Sequence, residues 1–126
     1  MKKKKIKPLV WEPQEVEFIK AFNTKASDAR RIAEEHGWTV EGDDKGLGLK
    51  IALMHSELSE ALEALRIGNP PSEKIPQYSS LEDEFADVIL RIMHVADVLD
   101  LRLGEAIVAK DRFNDKRPYK HGGKRF

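Results

Sequence analysis

Two pairs of acidic residues are the part of this sequence whose types and spacing could do chemistry. Glu57 and Glu60 form one pair, and Glu84 and Asp87 form the other, and the members of each pair are three positions apart. Residues at this spacing lie on the same side of an α-helix, one turn apart, so each pair predicts two carboxylates that can act together. Acids at this spacing are also common on solvated helix faces, and one pair alone indicates no site.

Both pairs border the apolar stripe of a predicted helix. At about 100° per residue, Glu57 and Glu84 each lie roughly 75 to 80° from the centre of their own stripe. If the two helices pack as an antiparallel hairpin, four carboxylates converge, and a cation would relieve their mutual repulsion. Oxygen ligands favour Mg²⁺, with Mn²⁺ as an alternative, over zinc. A ferritin-like di-iron site would need Glu-x-x-His, and neither Glu57 nor Glu84 is followed by histidine at that spacing.

Cations and amides that could bind phosphate are concentrated near the C-terminal end. A polyphosphate that is held by a metal on one side needs hydrogen-bond donors on the other, and Lys, Arg and Asn supply them. We therefore expect phosphate binding by Lys110, Asn114, Arg117 and Lys124. The competing interpretation is that this basic, glycine-containing end is a frayed terminus.

The elements that must position these residues are four helices. Apolar residues recur at spacings of three and four over about 13–36, 47–67, 81–99 and 103–113, and no alternation typical of strands occurs. Ser79 or Ser80 is the expected N-cap of the third helix. The fold class is therefore all-α. We expect the stripes of the second and third helices to be buried, including Ile51, Leu58, Leu65, Phe85 and Ile92.

Length and composition bound the protein further. A chain of 126 residues fits one domain, so we expect a basic flexible tail at 1–10 and a single helical domain at 11–126. Lys plus Arg and Asp plus Glu are equal at 22 each, so no bulk positive field favours stable nucleic-acid binding. Without cysteine there is no thiolate nucleophile or sulfur-ligated zinc. No apolar run suits a signal sequence or a membrane span, which predicts a cytoplasmic protein without membrane contact.

The acidic motifs resemble those of the MazG-like all-alpha nucleoside triphosphate pyrophosphohydrolases, whose signature is Glu-x-x-Glu followed after a spacer by Glu-x-x-Asp. Residues 55–66 are similar to the first half, 82–89 to the second and 110–124 to a basic tail, so the resemblance covers about 46–124. It implies hydrolysis of a nucleoside triphosphate to the monophosphate and pyrophosphate. Mg²⁺ would be held by Glu57, Glu60, Glu84 and Asp87, and a water would be oriented or deprotonated by Glu57 or Glu60.

The resemblance also implies a homodimer or a dimer of dimers, which would complete a four-helix-type bundle that helices of this length barely close alone. Base binding would involve Trp38 and His36, and the biological role would be the cleaning of nucleotide pools. Two alternatives stay open. Phosphoribosyl-ATP could be the substrate, or the chain could be a non-catalytic helical module that binds metal or nucleotide and dimerises.

Overall fold

The computed structural model describes residues 5–119 and Arg125, and this part of the chain is helical. The helices are α1 (Pro13–Glu35), α2 (Asp44–Arg66), α3 (Ser80–Val98) and α4 (Leu103–Asp115). In the described residues no strand forms, and one isolated antiparallel bridge pairs Pro71 with Ser79. The all-α prediction is confirmed, and each helix lies close to its predicted position. None of the described helices has the length and apolar character that crossing a bilayer requires.

Local signals explain where the helices begin and end. Ser79 is the N-cap of α3, and its hydroxyl and the carboxylate of Glu82 form a reciprocal capping box. Asp43 caps α2 by accepting a hydrogen bond from the backbone N–H of Gly46 at 2.7 Å. Helix α1 ends because Gly37 has a φ of 89°, which allows the N–H of Trp38 to bond back to a carbonyl of the last helical turn. This turn fixes the position of Trp38 directly after α1.

The chain forms two compact units, and the first contains residues up to Asn23 and from Arg102 onward. Within it, Asn23 joins the start of α4 to α1, because its side chain accepts from the N–H of Gly104 at 3.1 Å and donates to Glu105 at 2.6 Å. A Cβ at Gly104 would lie 2.9 Å from Asn23 Oδ1, so glycine is needed for this close approach. Arg112 of α4 pairs with Glu15 of α1.

The second unit, Thr24–Leu101, contains the end of α1 together with α2 and α3. Helices α2 and α3 pack against each other in antiparallel directions. Their connection is held by hydrogen bonds from the N–H of Leu81 to Asn69 Oδ1 at 2.9 Å and from the N–H of Ser80 to the carbonyl of Pro70 at 2.8 Å. These bonds keep the end of α2 beside the start of α3, and so fix which residues of the two helices face each other.

The predicted burial of the apolar stripes is wrong for five of their larger side chains, which are exposed, namely Ile51, Leu58, Leu65, Phe85 and Ile92. Ala61 of the second helix's stripe is buried as predicted. The core of this unit consists mainly of small side chains, Ala26, Ala29, Ala61, Ala64, Met93 and Ala96. Alanine-lined contacts let the helices approach closely, and the larger side chains then lie outside that contact, where no described element of this unit covers them.

Candidate functional site

Three of the four predicted acids converge where α2 and α3 pack together. One oxygen each from Glu57, Glu60 and Glu84 lies within 4.8 Å of the other two. Glu57 and Glu60 are one turn apart on α2, and the antiparallel packing brings Glu84 of α3 opposite them. The hairpin therefore concentrates negative charge at one place in the second unit, as the motif spacing predicts.

Glu84 is the member whose ionisation the fold opposes most. Burial raises its pKa, and the neighbouring carboxyls of Glu57 and Glu60 raise it further, to about 7. Glu84 Oε2 is buried and has no hydrogen-bond partner among the described residues. A proton or a cation would stabilise this oxygen, and no side chain among the described residues donates a hydrogen bond to it.

Glu57 differs because an arginine pairs with it. Burial opposes its ionisation, but the hydrogen bonds from Arg91 and Glu84 and the charge of Arg91 outweigh burial, so the pKa of Glu57 is lowered. Arg91 donates to Glu57 Oε1 from Nε at 3.0 Å and from Nη2 at 2.8 Å. The pKa values of two of the three clustered glutamates are thus shifted in opposite directions, which favours the ionised form of Glu57 and the protonated form of Glu84.

Asp87, the fourth predicted acid, does not belong to the three-oxygen cluster. It lies beside the cluster in the wall of a cleft to which Glu57 also contributes. Burial and the charges of Glu57 and Asp83 raise the pKa of Asp87, against the opposing effect of Lys74 and Arg91. The negative charges of neighbouring acids therefore act on Asp87, although its carboxylate is not one of the three that converge.

The cleft combines cations with an apolar wall. It has a volume of about 390 Å³, within the range of small-molecule sites. Its basic residues are Lys25, Lys50, Lys74 and Arg91, and its apolar lining consists of Ala29, Ile32, Ala33, Trp38 and Leu90. Positive charge beside an acidic cluster suits an anion that is bound together with a cation, and the apolar lining suits a flat ring.

His94 also lines this cleft, and no motif or spacing in the sequence predicts it as a site residue. The residue is 8% exposed, and its Nε2 is buried without a hydrogen-bond partner among the described residues. Glu34 Oε1 lies 3.9 Å from Nε2, which is beyond hydrogen-bonding distance. Burial lowers the pKa of His94, and the charges of Lys50 and Arg30 lower it further, against the carboxylates of Glu34 and Asp97. The imidazole is therefore neutral at pH 7.

The two residues predicted to bind a base are placed differently. Trp38 lines the cleft and remains 65% exposed, so one face of its ring is open to a ligand. His36 is absent from the cleft lining, and its Nδ1 lies 2.7 Å from the carbonyl oxygen of Ile32. The wall of the cleft thus includes Trp38 from the predicted pair, together with His94, which sequence reasoning missed.

The predicted phosphate-binding residues lie in the first unit or outside the described residues. Lys110 and Asn114 belong to α4, and Lys110 Nζ lies 4.8 Å above the ring of Phe113. Arg117 follows α4 and is exposed, while Lys124 lies outside the described residues. Phosphate binding by these four residues stays a prediction. The cations that line the cleft come from α1, α2, α3 and the loop before α3.

Comparisons with protein-family models, with curated proteins and with solved structures gave no match to this chain. The site is therefore interpreted from its own geometry and charges.

Proposed function

We propose that this chain is a Mg²⁺-dependent nucleoside triphosphate pyrophosphohydrolase that converts an NTP or dNTP to the monophosphate and pyrophosphate. The observation that carries the proposal is the convergence of Glu57, Glu60 and Glu84, with Glu57 also lining a cleft that offers lysines and apolar surface. The resemblance of both acidic motifs to the MazG-like all-alpha pyrophosphohydrolases supports it, and membership of that family is part of the proposal.

The acidic cluster fits a hard divalent cation. Oxygens that bind Mg²⁺ at about 2.1 Å in an octahedron are separated by roughly 3.0 to 4.2 Å. The three carboxylate oxygens lie within 4.8 Å of one another, so they would draw slightly closer together around a bound ion. Glu84 Oε2 is buried and has no hydrogen-bond partner among the described residues, and a bound cation would supply the missing partner. Glu57, Glu60 and Glu84 would hold Mg²⁺ or Mn²⁺, and Asp87 is adjacent. A bound Mg²⁺ would neutralise phosphate charge and lower the pKa of a coordinated water.

The two glutamates of α2 suit different tasks. Arg91 fixes the side chain of Glu57 through two hydrogen bonds to Oε1, which makes Glu57 a ligand of constant charge. Glu60 is exposed, so its carboxylate meets solvent and can accept a proton from a water that attacks the α-phosphorus. As the new P–O bond forms, the bond from the α-phosphorus to the bridging oxygen breaks and pyrophosphate leaves. We therefore favour Glu60 over Glu57 as the base.

Lysines of the cleft provide the complementary charge for a polyphosphate. Lys25, Lys50 and Lys74 line the same space as Glu57 and Asp87, so an anion in the cleft would meet ammonium groups as well as carboxylates that a cation could bridge. Charge-assisted hydrogen bonds from such groups are about twice as strong as neutral ones. Trp38 adds an aromatic surface on which a base can stack.

The exposed stripes support a homo-oligomer as part of the proposal. Leu58, Leu62 and Leu65 recur along α2 with exposures of 45, 60 and 53%, and Phe85 and Ile89 on α3 are 48 and 50% exposed. Large apolar side chains repeated on one helix face are typical of a surface that packs against another chain. We propose that a second copy of this chain covers them, in a dimer or a dimer of dimers, and that the enzyme acts on nucleotide pools in the cytoplasm.

Pyrophosphate release tests the activity. Purified protein with Mg²⁺ is given ordinary and modified NTPs and dNTPs together with phosphoribosyl-ATP, and the products are separated as monophosphate, diphosphate, phosphate and pyrophosphate. We expect monophosphate and pyrophosphate from at least one substrate. Glu60→Gln and Asp87→Asn should lower kcat by about 100-fold or more.

Glu63→Gln is the matched control, because Glu63 lies on α2 outside the cluster and contacts Arg66 at 3.7 Å. Its turnover should equal that of the unaltered protein. Stabilisation by a nucleotide with Mg²⁺ but no product across the panel would refute hydrolysis and favour the non-catalytic binding module. Diphosphate and phosphate as products would refute cleavage at the α-phosphorus.

A further inference from the structure

The buried ring nitrogen of His94 is the strongest feature that the proposed reaction does not use. His94 is 8% exposed and its Nε2 has no hydrogen-bond partner among the described residues, yet the side chain lines the cleft. Buried polar atoms in proteins are nearly always hydrogen-bonded, and an exception in the wall of a cleft points to a partner supplied by a ligand.

His94 lies on the same face of α3 as Asp87 but further along the helix. Asp87 and His94 are seven residues apart on α3, which places them on the same helix face about 10 Å apart along the axis. Glu34 Oε1 of α1 lies 3.9 Å from Nε2, and α1 also supplies the apolar lining residues Ala29, Ile32 and Ala33. The charges of Glu34, Lys50, Arg30 and Asp97 also act on the imidazole. His94 thus lies about two helical turns from Asp87, where apolar and charged groups meet in the cleft.

We infer that His94 is a specificity-determining residue whose Nε2 hydrogen-bonds the edge of a nucleobase that stacks on Trp38. This inference rests on the proposed function for its ligand class, because it assumes that the cleft binds a nucleotide. A neutral imidazole offers either a donor or an acceptor at Nε2, depending on its tautomer, and so favours a base with the complementary group. A base that leaves this buried polar atom unpaired binds less tightly than one that pairs with it.

Binding of nucleoside monophosphates without metal tests the inference independently of turnover. The chain has two tryptophans, so Trp11→Phe leaves Trp38 as the single tryptophan reporter. Trp11 lies in the first unit, beneath Arg112, and phenylalanine retains an aromatic ring there. Quenching of Trp38 fluorescence by AMP, GMP, CMP, UMP and dTMP gives a dissociation constant for each base, and ribose 5-phosphate serves as the ligand without a base.

We expect one base to bind at least tenfold more tightly than another, and His94→Phe to remove that preference while leaving the affinity for ribose 5-phosphate unchanged. Phenylalanine keeps the flat ring but lacks the nitrogen. His94→Gln keeps a polar group near the position of Nε2 and should retain part of the preference. Thermal unfolding of each variant identifies loss of the fold, in which case His94→Gln alone decides the matter.

Equal weakening of every base and of ribose 5-phosphate would assign His94 a structural role and overturn the inference, as would the absence of quenching by all five monophosphates. The two proposals fail separately. Monophosphate binding that depends on His94, without hydrolysis of any triphosphate, would refute the enzyme and leave the inference standing. Hydrolysis with a base preference that His94→Phe does not change would support the enzyme and refute the role of His94. Glu63→Gln, outside the acidic cluster and the cleft lining, should bind monophosphates with unchanged affinity.

Discussion

Replacing Glu84 by glutamine should stabilise the metal-free protein and abolish its response to Mg²⁺. Glutamine has nearly the same shape and can donate hydrogen bonds to Glu57 and Glu60, but it never ionises. In the folded chain the pKa of Glu84 is raised to about 7 by burial and by its acidic neighbours. Between the ordinary pKa of 4.5 and about 7, the folded state therefore binds more protons than the unfolded state, so stability falls as pH rises through this window.

The magnitude follows from the same shift. A pKa that rises from 4.5 to about 7 corresponds to a cost of up to roughly 3 kcal/mol for ionising the folded protein. Water reaches the exposed carboxylate of Glu60 and screens the repulsion, so we expect about 1–2 kcal/mol at pH 8. For a chain of 126 residues this gain corresponds to a rise in Tm of about 3–8 °C. Below the ordinary pKa both proteins are uncharged at this position and should be equally stable.

Thermal unfolding at pH 4.5, 6 and 8, in EDTA and in excess Mg²⁺, measures the effect. In EDTA the Glu84→Gln protein should be the more stable at pH 8, and its Tm should vary less with pH. In Mg²⁺ the order should reverse, because only the unaltered protein gains binding energy. Glu63→Gln on the same helix pair should follow the unaltered protein throughout. If Glu84→Gln keeps the unaltered pH profile between pH 4.5 and 8, the acids do not interact as described.

Three further predictions concern the fold and the assembly. Ser79→Ala removes the capping box of α3 and should lower the free energy of unfolding by about 1 kcal/mol in urea, whereas Ser59→Ala on α2 should cost less than about 0.5 kcal/mol; equal losses would contradict the cap. Leu62→Asp should convert an oligomer into a 14.4 kDa monomer by light scattering, and Leu62→Ala should weaken it less; an unaltered protein that is already monomeric refutes the oligomer. The hydrogen bond from Arg112 lowers the pKa of Glu15, so this pair stabilises the fold above the ordinary pKa of 4.5 and its contribution is lost as pH falls below that. Glu15→Gln should therefore lower Tm at pH 7 and leave it unchanged at about pH 3, and a loss of equal size at both would contradict the ion pair.

Helix positions could be predicted from the sequence because their signals are local. The capping box at Ser79 and Glu82 and the turn at Gly37 each involve residues within a few positions of one another. Burial of the stripes could not be predicted in the same way. Whether Leu58 or Phe85 is covered depends on how closely the helices approach, and alanines set that distance from other positions.

The candidate site, like the fold, could be predicted from the sequence only in part. Convergence of Glu57, Glu60 and Glu84 follows from the i, i+3 spacing of the α2 pair and from an antiparallel hairpin of α2 and α3, although alanines and not the large stripe residues line the contact between these helices. The separation of Asp87 from this cluster depends on the rotation of α3 about its own axis, which spacing alone leaves undetermined.

The cleft residues that come from distant parts of the chain could not be predicted from the sequence. Lys25 and Lys74 reach the cleft from α1 and from the loop before α3, and His94 is buried in it by the packing of α1 on α3. Long-range packing of this kind leaves no periodic signal. A lone lysine or histidine on a helix is more often solvated or packed than functional, so sequence reasoning had no ground to select these three.

The most direct test of the central claim is the location of Mn²⁺ in crystals of the protein by anomalous diffraction. Mn²⁺ substitutes for Mg²⁺ at oxygen sites and gives a signal that identifies the metal without assumptions about activity. Our account predicts a strong anomalous peak among the carboxylates of Glu57, Glu60 and Glu84, and no such peak in crystals of Glu84→Gln. A peak elsewhere with this cluster empty, or three acids that point apart into solvent, would contradict it.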